Sequence, residues 1–481
     1  MKGMSYAEVM ARKNEIMKKS LLLDYDRFEG KGLSFDYEGM MNQYGYSLDE
    51  IRRIQREVSV GDTPLIELRN LTRTARALAP KGKGARILLK DEAANPSGSF
   101  KDRRASVSCF FAASKGFQGV AAATSGNYGA ALASQANIRN LKTIIVQEVF
   151  DSLGQGQPEI VEKTRKCEAY GAEVIQTSVG PELFYYLLRV LEETGWFNAS
   201  LYTPLSIAGI ETIGYEIAEQ CRERHGTLPA AVVVTHAGGG NITGTARGLR
   251  KAGAEEVKVI GASVNLEGLH MASDRDFNLK SFTTGHTGFG VPFATWPDRS
   301  DVPRNAARSL RYMEQYVTVN QGEVFYITEA LALLEGLERG PAGNTALTAA
   351  FALAQEYDRD DFIVVQETEY TGAGKHHYAQ LAFARENGIS VETGDPDSEI
   401  PGKNIVFPSH PRQIRAREVD LDPLRISLVR NALKNRGLSR TDLSEDDLKF
   451  LADDVARDRS FIEKTLKELD QASEKAQKGG S

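Results

Sequence analysis

The chain has 481 residues, 41% of them hydrophobic, and a formal net charge of −6. That length supports a large core and two or three domains, and the mild acidic excess excludes a nucleic-acid footprint, which needs a clustered basic face. Three cysteines (Cys109, Cys167, Cys221) with no CxxC pair or Cys/His spacing exclude a disulfide framework and a zinc site, and they predict reduced thiols in a cytoplasm.

The N-terminus is polar and charged, without the apolar stretch of a signal peptide, and no run approaches about 20 apolar residues. Residues 1–60 predict a helical extension. Ser47 reads as an N-cap, with Glu50 in the capping-box place. No strand is expected before Arg86. From there short β-rich runs alternate with helical stretches: Ile87–Lys90, Gly119–Ala123, Thr143–Glu148, Glu173–Thr177, Ala231–Thr235, Lys258–Ser263 and Phe362–Gln366 predict strands. Helices are predicted over Tyr128–Ala136 and Ile242–Ala252. This order means βαβ units and parallel sheets, an α/β fold whose ligands sit at the loops beyond the strand ends. Residues 266–325 read as an irregular functional flap or interface segment. Beyond about 415 the chain turns charged and helical, and AQKGGS frays at the end.

Four loops carry chemistry. In Asn95-Pro96-Ser97-Gly98-Ser99-Phe100-Lys101-Asp102-Arg103 a lysine follows a tight turn at a helix start, where a partly desolvated amine can form an imine with an aldehyde. A solvated lysine in a charged run fits the segment equally well. Thr124-Ser125-Gly126-Asn127-Tyr128-Gly129 lies between a strand and a helix and suits a carboxylate, or is an ordinary capped turn. Ala237-Gly238-Gly239-Gly240-Asn241 lets the backbone wrap an oxyanion, a phosphate cradle without the lysine of Walker A. Thr371-Gly372-Ala373-Gly374-Lys375-His376 offers a neutral hydroxyl, or is a loop.

In this order and spacing the four segments resemble the fold type II, tryptophan-synthase-beta-like enzymes that use pyridoxal 5'-phosphate (PLP). SFKDR and TGxGK are most similar to threonine synthase, and Gly61-Asp62-Thr63-Pro64-Leu65 matches the usual Gly-Asn-Thr-Pro-Leu opening with Asp for Asn. This likeness covers roughly residues 60–390. It implies Lys101 as the Schiff-base lysine and Asn127 as the partner of the cofactor's 3'-oxygen. Thr124, Ser125 and Tyr128 would receive the substrate carboxylate. Gly238, Gly239, Gly240 and Asn241 would hold the phosphate, and Thr371 would face the pyridine nitrogen.

A wider resemblance rests on SYAEVMARKNEIMKK, VGPELFYYLL, SFTTGHTGFGVPFATWPDRSDVPR and YVTVNQGEVFYITEALA, together with the site loops. These look like the beta subunits of 2-amino-4-oxopentanoate thiolases, up to about residue 410. The tail after about 435 is longer than that family leads one to expect. The family implies cleavage of 2-amino-4-oxopentanoate by coenzyme A to alanine and acetyl-CoA, in ornithine degradation. It implies a route through the Lys101 Schiff base and ketimine and enamine intermediates, and a small alpha subunit as partner. Threonine synthase or another fold type II lyase is the alternative. Homodimers are common in this fold type, by analogy.

His286, in the long loop, would deprotonate the CoA thiol or be a plain surface residue. Cys109 reads as a core residue, Cys167 and Cys221 as helix residues, and Glu367 and Glu369 as loop-shaping. No metal is expected at His376 and His377. By analogy a small domain spans 96–205. A large PLP-binding domain takes 61–95 and 206–415, between the extension 1–60 and a helical tail 416–481.

Overall fold

Apolar runs bounded by glycine loops become the strands of two main sheets in the computed structural model. It describes residues 5–43, 46–124, 126–180, 182–266, 277–289, 294–296, 298, 301–370 and 373–478. The larger sheet has seven strands. In spatial order they are β1 (Leu65–Glu67), β2 (Arg86–Asp91), β12 (Phe362–Glu367), β7 (Ala231–Thr235), β8 (Lys258–Val264), β11 (Gln315–Val319) and β15 (Arg417–Glu418). The inner pairings are parallel and the two edge strands run antiparallel. Every residue of β12 is buried, as befits a parallel strand covered on both faces.

The smaller sheet is parallel throughout, in the order β5 (Glu173–Ser178), β4 (Lys142–Phe150), β3 (Gly119–Thr124), β6 (Phe197–Asn198). Two short pairs complete the strands: β9 (Phe277–Lys280) with β10 (Thr287–Phe289), and β13 (Ser390–Gly394) with β14 (Asn404–Pro408). The seven strands predicted from sequence all form, with ends shifted by no more than two residues.

Two expectations need correction. A strand precedes Arg86: β1 is three residues long, too short for alternation to register, and is held by antiparallel pairing with β2. Residues 266–325 are less irregular than expected. Gln-Tyr-Val-Thr-Val is β-branched enough to join the large sheet as β11, and β9 and β10 form there as well.

The N-terminal extension carries the helices Tyr6–Ala11, Lys13–Leu21, Tyr37–Asn42 and Leu48–Arg56. The capping box at Ser47 forms. Glu50 N–H donates to Ser47 Oγ at 3.2 Å, and Ser47 N–H donates to Glu50 Oε2 at 2.7 Å. The tail folds as Asp422–Arg436, Glu445–Val455 and Arg459–Lys478 and buries Leu451, Val455, Ile462 and Leu466. Its Asp447 accepts from the backbone N–H of Leu33 (2.6 Å) and Ser34 (2.7 Å), so the tail grips the extension. Among the described residues no helix is long and apolar enough to cross a membrane.

Candidate active site

Loops leaving the carboxyl ends of β3, β7 and β12 meet around a cavity of about 180 Å³. Open parallel sheets place ligands in such positions. Lys101 starts the helix Lys101–Ser114 and lines the cavity. The turn before it is tied to the exit of β12. Phe100 N–H donates to Thr368 O at 3.0 Å, and Tyr370 N–H donates to Gly98 O at 2.7 Å. Gly98 has φ +77°, and a Cβ there would lie 2.6 Å from Tyr370 O, so only glycine fits. Burial first, and the positive Arg104 second, push the Lys101 amine down to about 7, against the pull of Glu369.

A buried ionic network holds this helix from behind. Arg103 meets Glu92 at 2.6 Å and Glu216 at 2.7 Å, and Lys90 meets Glu216 at 2.7 Å. Thr63, from the Gly-Asp-Thr-Pro-Leu segment, donates to Glu92 at 2.7 Å. Asp102 accepts from Ser97 N–H at 2.7 Å and closes the turn.

The triple-glycine loop is shaped by close approach. A Cβ on Gly238 would come within 2.3 Å of the Tyr202 hydroxyl, one on Gly239 within 2.8 Å of Ser309 Oγ, and one on Gly240 within 2.5 Å of the Arg104 guanidinium. Gly239 also sits at φ +82°. The helix Gly240–Lys251 begins here, so its first N–H groups lie at the loop. Asn241 Oδ1 accepts from Gln366 Nε2 at 2.8 Å, which fixes the amide, while its buried Nδ2 lacks a hydrogen-bond partner among the described residues.

On the opposite loop Gly126 N–H donates to Thr124 Oγ1 at 3.1 Å, and Asn127 opens the helix Asn127–Ile138. The Tyr128 hydroxyl donates to Ala199 O, and the Gly129 N–H donates to Gly126 O at 2.9 Å. Ser125 and Thr371 lie outside the described residues. His286 reaches the cavity with Nδ1 at 2.9 Å from Thr284 O, so the proton sits on Nδ1. Burial, then the charge on Lys163, pushes its pKa to about 3, and the imidazole is neutral.

Lys101, Thr124, Asn127, Tyr128, Gly238, Gly239, Gly240, Asn241 and His286 thus line one cavity. Arg104, Lys163 and Tyr202 line it too and were not singled out from sequence, and Glu369, read there as loop-shaping, also lines it. Lys163 forms a buried ion pair with Glu159 one helical turn away. Burial works against its charge, yet Glu159 and Glu369 hold its pKa above the usual value. Glu367 is buried behind Glu369. Burial first, then Glu369, pushes it well above the carboxylate range. Cys109 is wholly buried, and burial pushes its thiol up to about 12, so it supplies no nucleophile.

Residues 57–369 match the family described as "Pyridoxal-phosphate dependent enzyme". A 2-amino-4-ketopentanoate thiolase beta subunit from an unknown prokaryotic organism is 63% identical over 468 residues, covering 97% of this chain and 99% of its own length. The chain belongs to the thiolase beta subunits of the PLP-dependent enzymes. A second such beta subunit, from Acetoanaerobium sticklandii, matches with the same 63% identity, 97% of this chain and 99% of its own. The solved structure of O-ureido-L-serine synthase superposes with TM-score 0.52 at 21% identity, over 68% of this chain and 92% of that one, which speaks for the fold alone. The tail is no addition to the family. A match over 97% of the chain takes most of it in, which corrects the expectation from sequence.

The cofactor of this family is PLP, and the cavity suits it. A cradle that any Cβ would fill, an orphaned Asn241 Nδ2 and an amine near neutrality are what a phosphorylated aldehyde needs.

Proposed function

We propose that this chain is the PLP-carrying subunit of an enzyme that cleaves 2-amino-4-oxopentanoate with coenzyme A to alanine and acetyl-CoA. The observation that carries the reading is the meeting of a neutral-range lysine and a glycine cradle in one cavity, in a chain with near-full-length thiolase relatives. When bound through Lys101, PLP supplies an aldehyde for the amino group and a conjugated ring that accepts electrons released at Cα.

The chain's own residues do the rest. N–H groups at the start of Gly240–Lys251 and the Asn241 amide bind the phosphate. Asn127 would donate to the ring 3'-oxygen, and Thr371 would supply the hydroxyl for the pyridine nitrogen. Thr124, Ser125 and Tyr128 would take the substrate carboxylate. Lys101, with much of its amine uncharged near neutral pH, takes the α-proton and returns it. Neutral His286 accepts a hydrogen bond from the CoA thiol. Its low basicity makes it a guide for that proton more than a store. Sulfur adds to the C4 carbonyl and the C3–C4 bond breaks. The acetyl group leaves on sulfur, and C3 takes the proton to become the methyl of alanine.

A small alpha subunit completes the enzyme and contributes to the CoA site, with a homodimer of this chain as the core. Ornithine degradation in the cytoplasm is the setting, which the three buried thiols, none in a disulfide, support.

Borohydride reduction of the holo chain should place the phosphopyridoxyl group on Lys101. A label on Lys163, the other cavity lysine, overturns the assignment. With the alpha subunit present, acetyl-CoA should form from 2-amino-4-oxopentanoate. Consumption of the amino acid without CoA would favour a threonine-synthase-like or other fold type II lyase.

A further inference from the structure

Among the described residues six arginines are buried: Arg103, Arg104, Arg247, Arg304, Arg308 and Arg425. Five of them have a carboxylate within 3.0 Å, from Glu92 and Glu216, Glu211, Glu29, Asp454 and Asp422 in turn. A guanidinium taken out of water demands such a partner, because an unpaired buried charge is costly. Arg104 breaks the pattern. It is 3% exposed and has no carboxylate partner among the described residues.

The groups that hold it are neutral. Nη1 donates to Leu201 O at 2.7 Å, the ring of Phe100 lies 5.5 Å from Cζ, and Nε is buried without a hydrogen-bond partner. Burial accordingly lowers its pKa to about 10. The guanidinium lines the same cavity as the glycine cradle and lies against it, since a Cβ on Gly240 would be 2.5 Å from Nη2 and 3.0 Å from Nη1. Arg104 also sits one turn after Lys101, on the same helix face. The missing counter-ion is therefore one that arrives with a ligand seated on Gly238–Gly240.

We propose that Arg104 is the fixed cation of this cradle and binds the phosphate of PLP, adding a charged contact to a loop that otherwise offers only backbone N–H groups and an amide. The inference rests on the reading that the cradle holds that phosphate. A guanidinium suits the role because it stays charged and presents planar paired donors to phosphate oxygens.

The test compares PLP with pyridoxal, which carries the same aldehyde and no phosphate. Equilibrium titration of the apo chain at a pH well above the Lys101 midpoint of about 7, where the amine is uncharged in every variant, followed by imine absorbance, gives the dissociation constant of each for the wild type, Arg104→Gln and Arg104→Lys. Arg104→Gln should weaken PLP by about tenfold or more while pyridoxal changes by less than about threefold. Arg104→Lys, which keeps the charge, should fall between, and the KM for CoA should be unchanged. Equal weakening of both aldehydes, whether from a damaged pocket or a failed fold, overturns the inference. So does unaltered preference for PLP, or an effect confined to CoA. Failure of the underlying reading looks different: the wild type itself would then bind PLP no better than pyridoxal, or at another lysine.

Discussion

An amine that titrates near neutrality has a pH signature of its own. Lys101 falls to about 7 chiefly through burial, then through Arg104. Only the uncharged amine attacks an aldehyde, so the rate at which pyridoxal adds to the apo chain should rise with pH up to about 7 and level off above. Stopped-flow absorbance would record it. A rise that continues toward 10.5, the ordinary lysine value, denies the burial. Removing the neighbouring charge in Arg104→Gln should move the midpoint upward, toward that value. Lys101 was legible in the sequence because a Pro-Ser-Gly turn precedes it. Arg104 was not. In Lys-Asp-Arg-Arg two adjacent arginines look alike, and only helical spacing puts Arg104 on the face of Lys101 and Arg103 on another. Lys163 was hidden for a different reason. Nothing in its polar helix announces that the pair with Glu159 is buried.

At the level of elements, the amine is held in place by charge behind its helix as much as by the turn before it. Arg103 joins the Lys101 helix to β2 and its exit through Glu92, and to the long helix Pro204–His225 through Glu216. Arg103→Met strands two carboxylates beside Lys90 alone and should cost about 3–5 kcal/mol in urea unfolding. A loss below about 1 kcal/mol would show that the network relaxes without it. We propose that residues 96–205, around the four-stranded sheet, form the smaller domain, and that 61–95 with 206–415 form the larger one. Apart from β11, the inner strands of both sheets were readable from composition, since parallel strands buried on both faces are continuous apolar runs. Of the edge strands β5 was readable and the other three were not. β1, β6 and β15 have two or three residues and take their conformation from the neighbour they pair with. Gln315–Val319 escaped notice because the surrounding polar loop masked four β-prone residues.

Across the whole molecule, the ends of the chain are one structure. Asp447 satisfies two backbone donors of the N-terminal extension, Arg436 and Arg304 both meet Glu29, and Arg308 meets Asp454. Asp447→Ala leaves Leu33 N–H without its acceptor and should lower stability by about 1–3 kcal/mol. The first cleavage in limited proteolysis should then fall within the extension. An unchanged digestion pattern and melting temperature would rule this out. From sequence the helices of the tail were plain through their periodicity, and its docking was not. A contact across 414 positions leaves no local pattern to read.

That separation also sets an order of events during synthesis. The carboxylate that caps Leu33 is made 414 residues after it. At ordinary elongation rates the gap is roughly 20 to 80 s. Over that interval the nascent extension lacks this clasp, and the apolar surface it covers is open to chaperones or to the wrong neighbour.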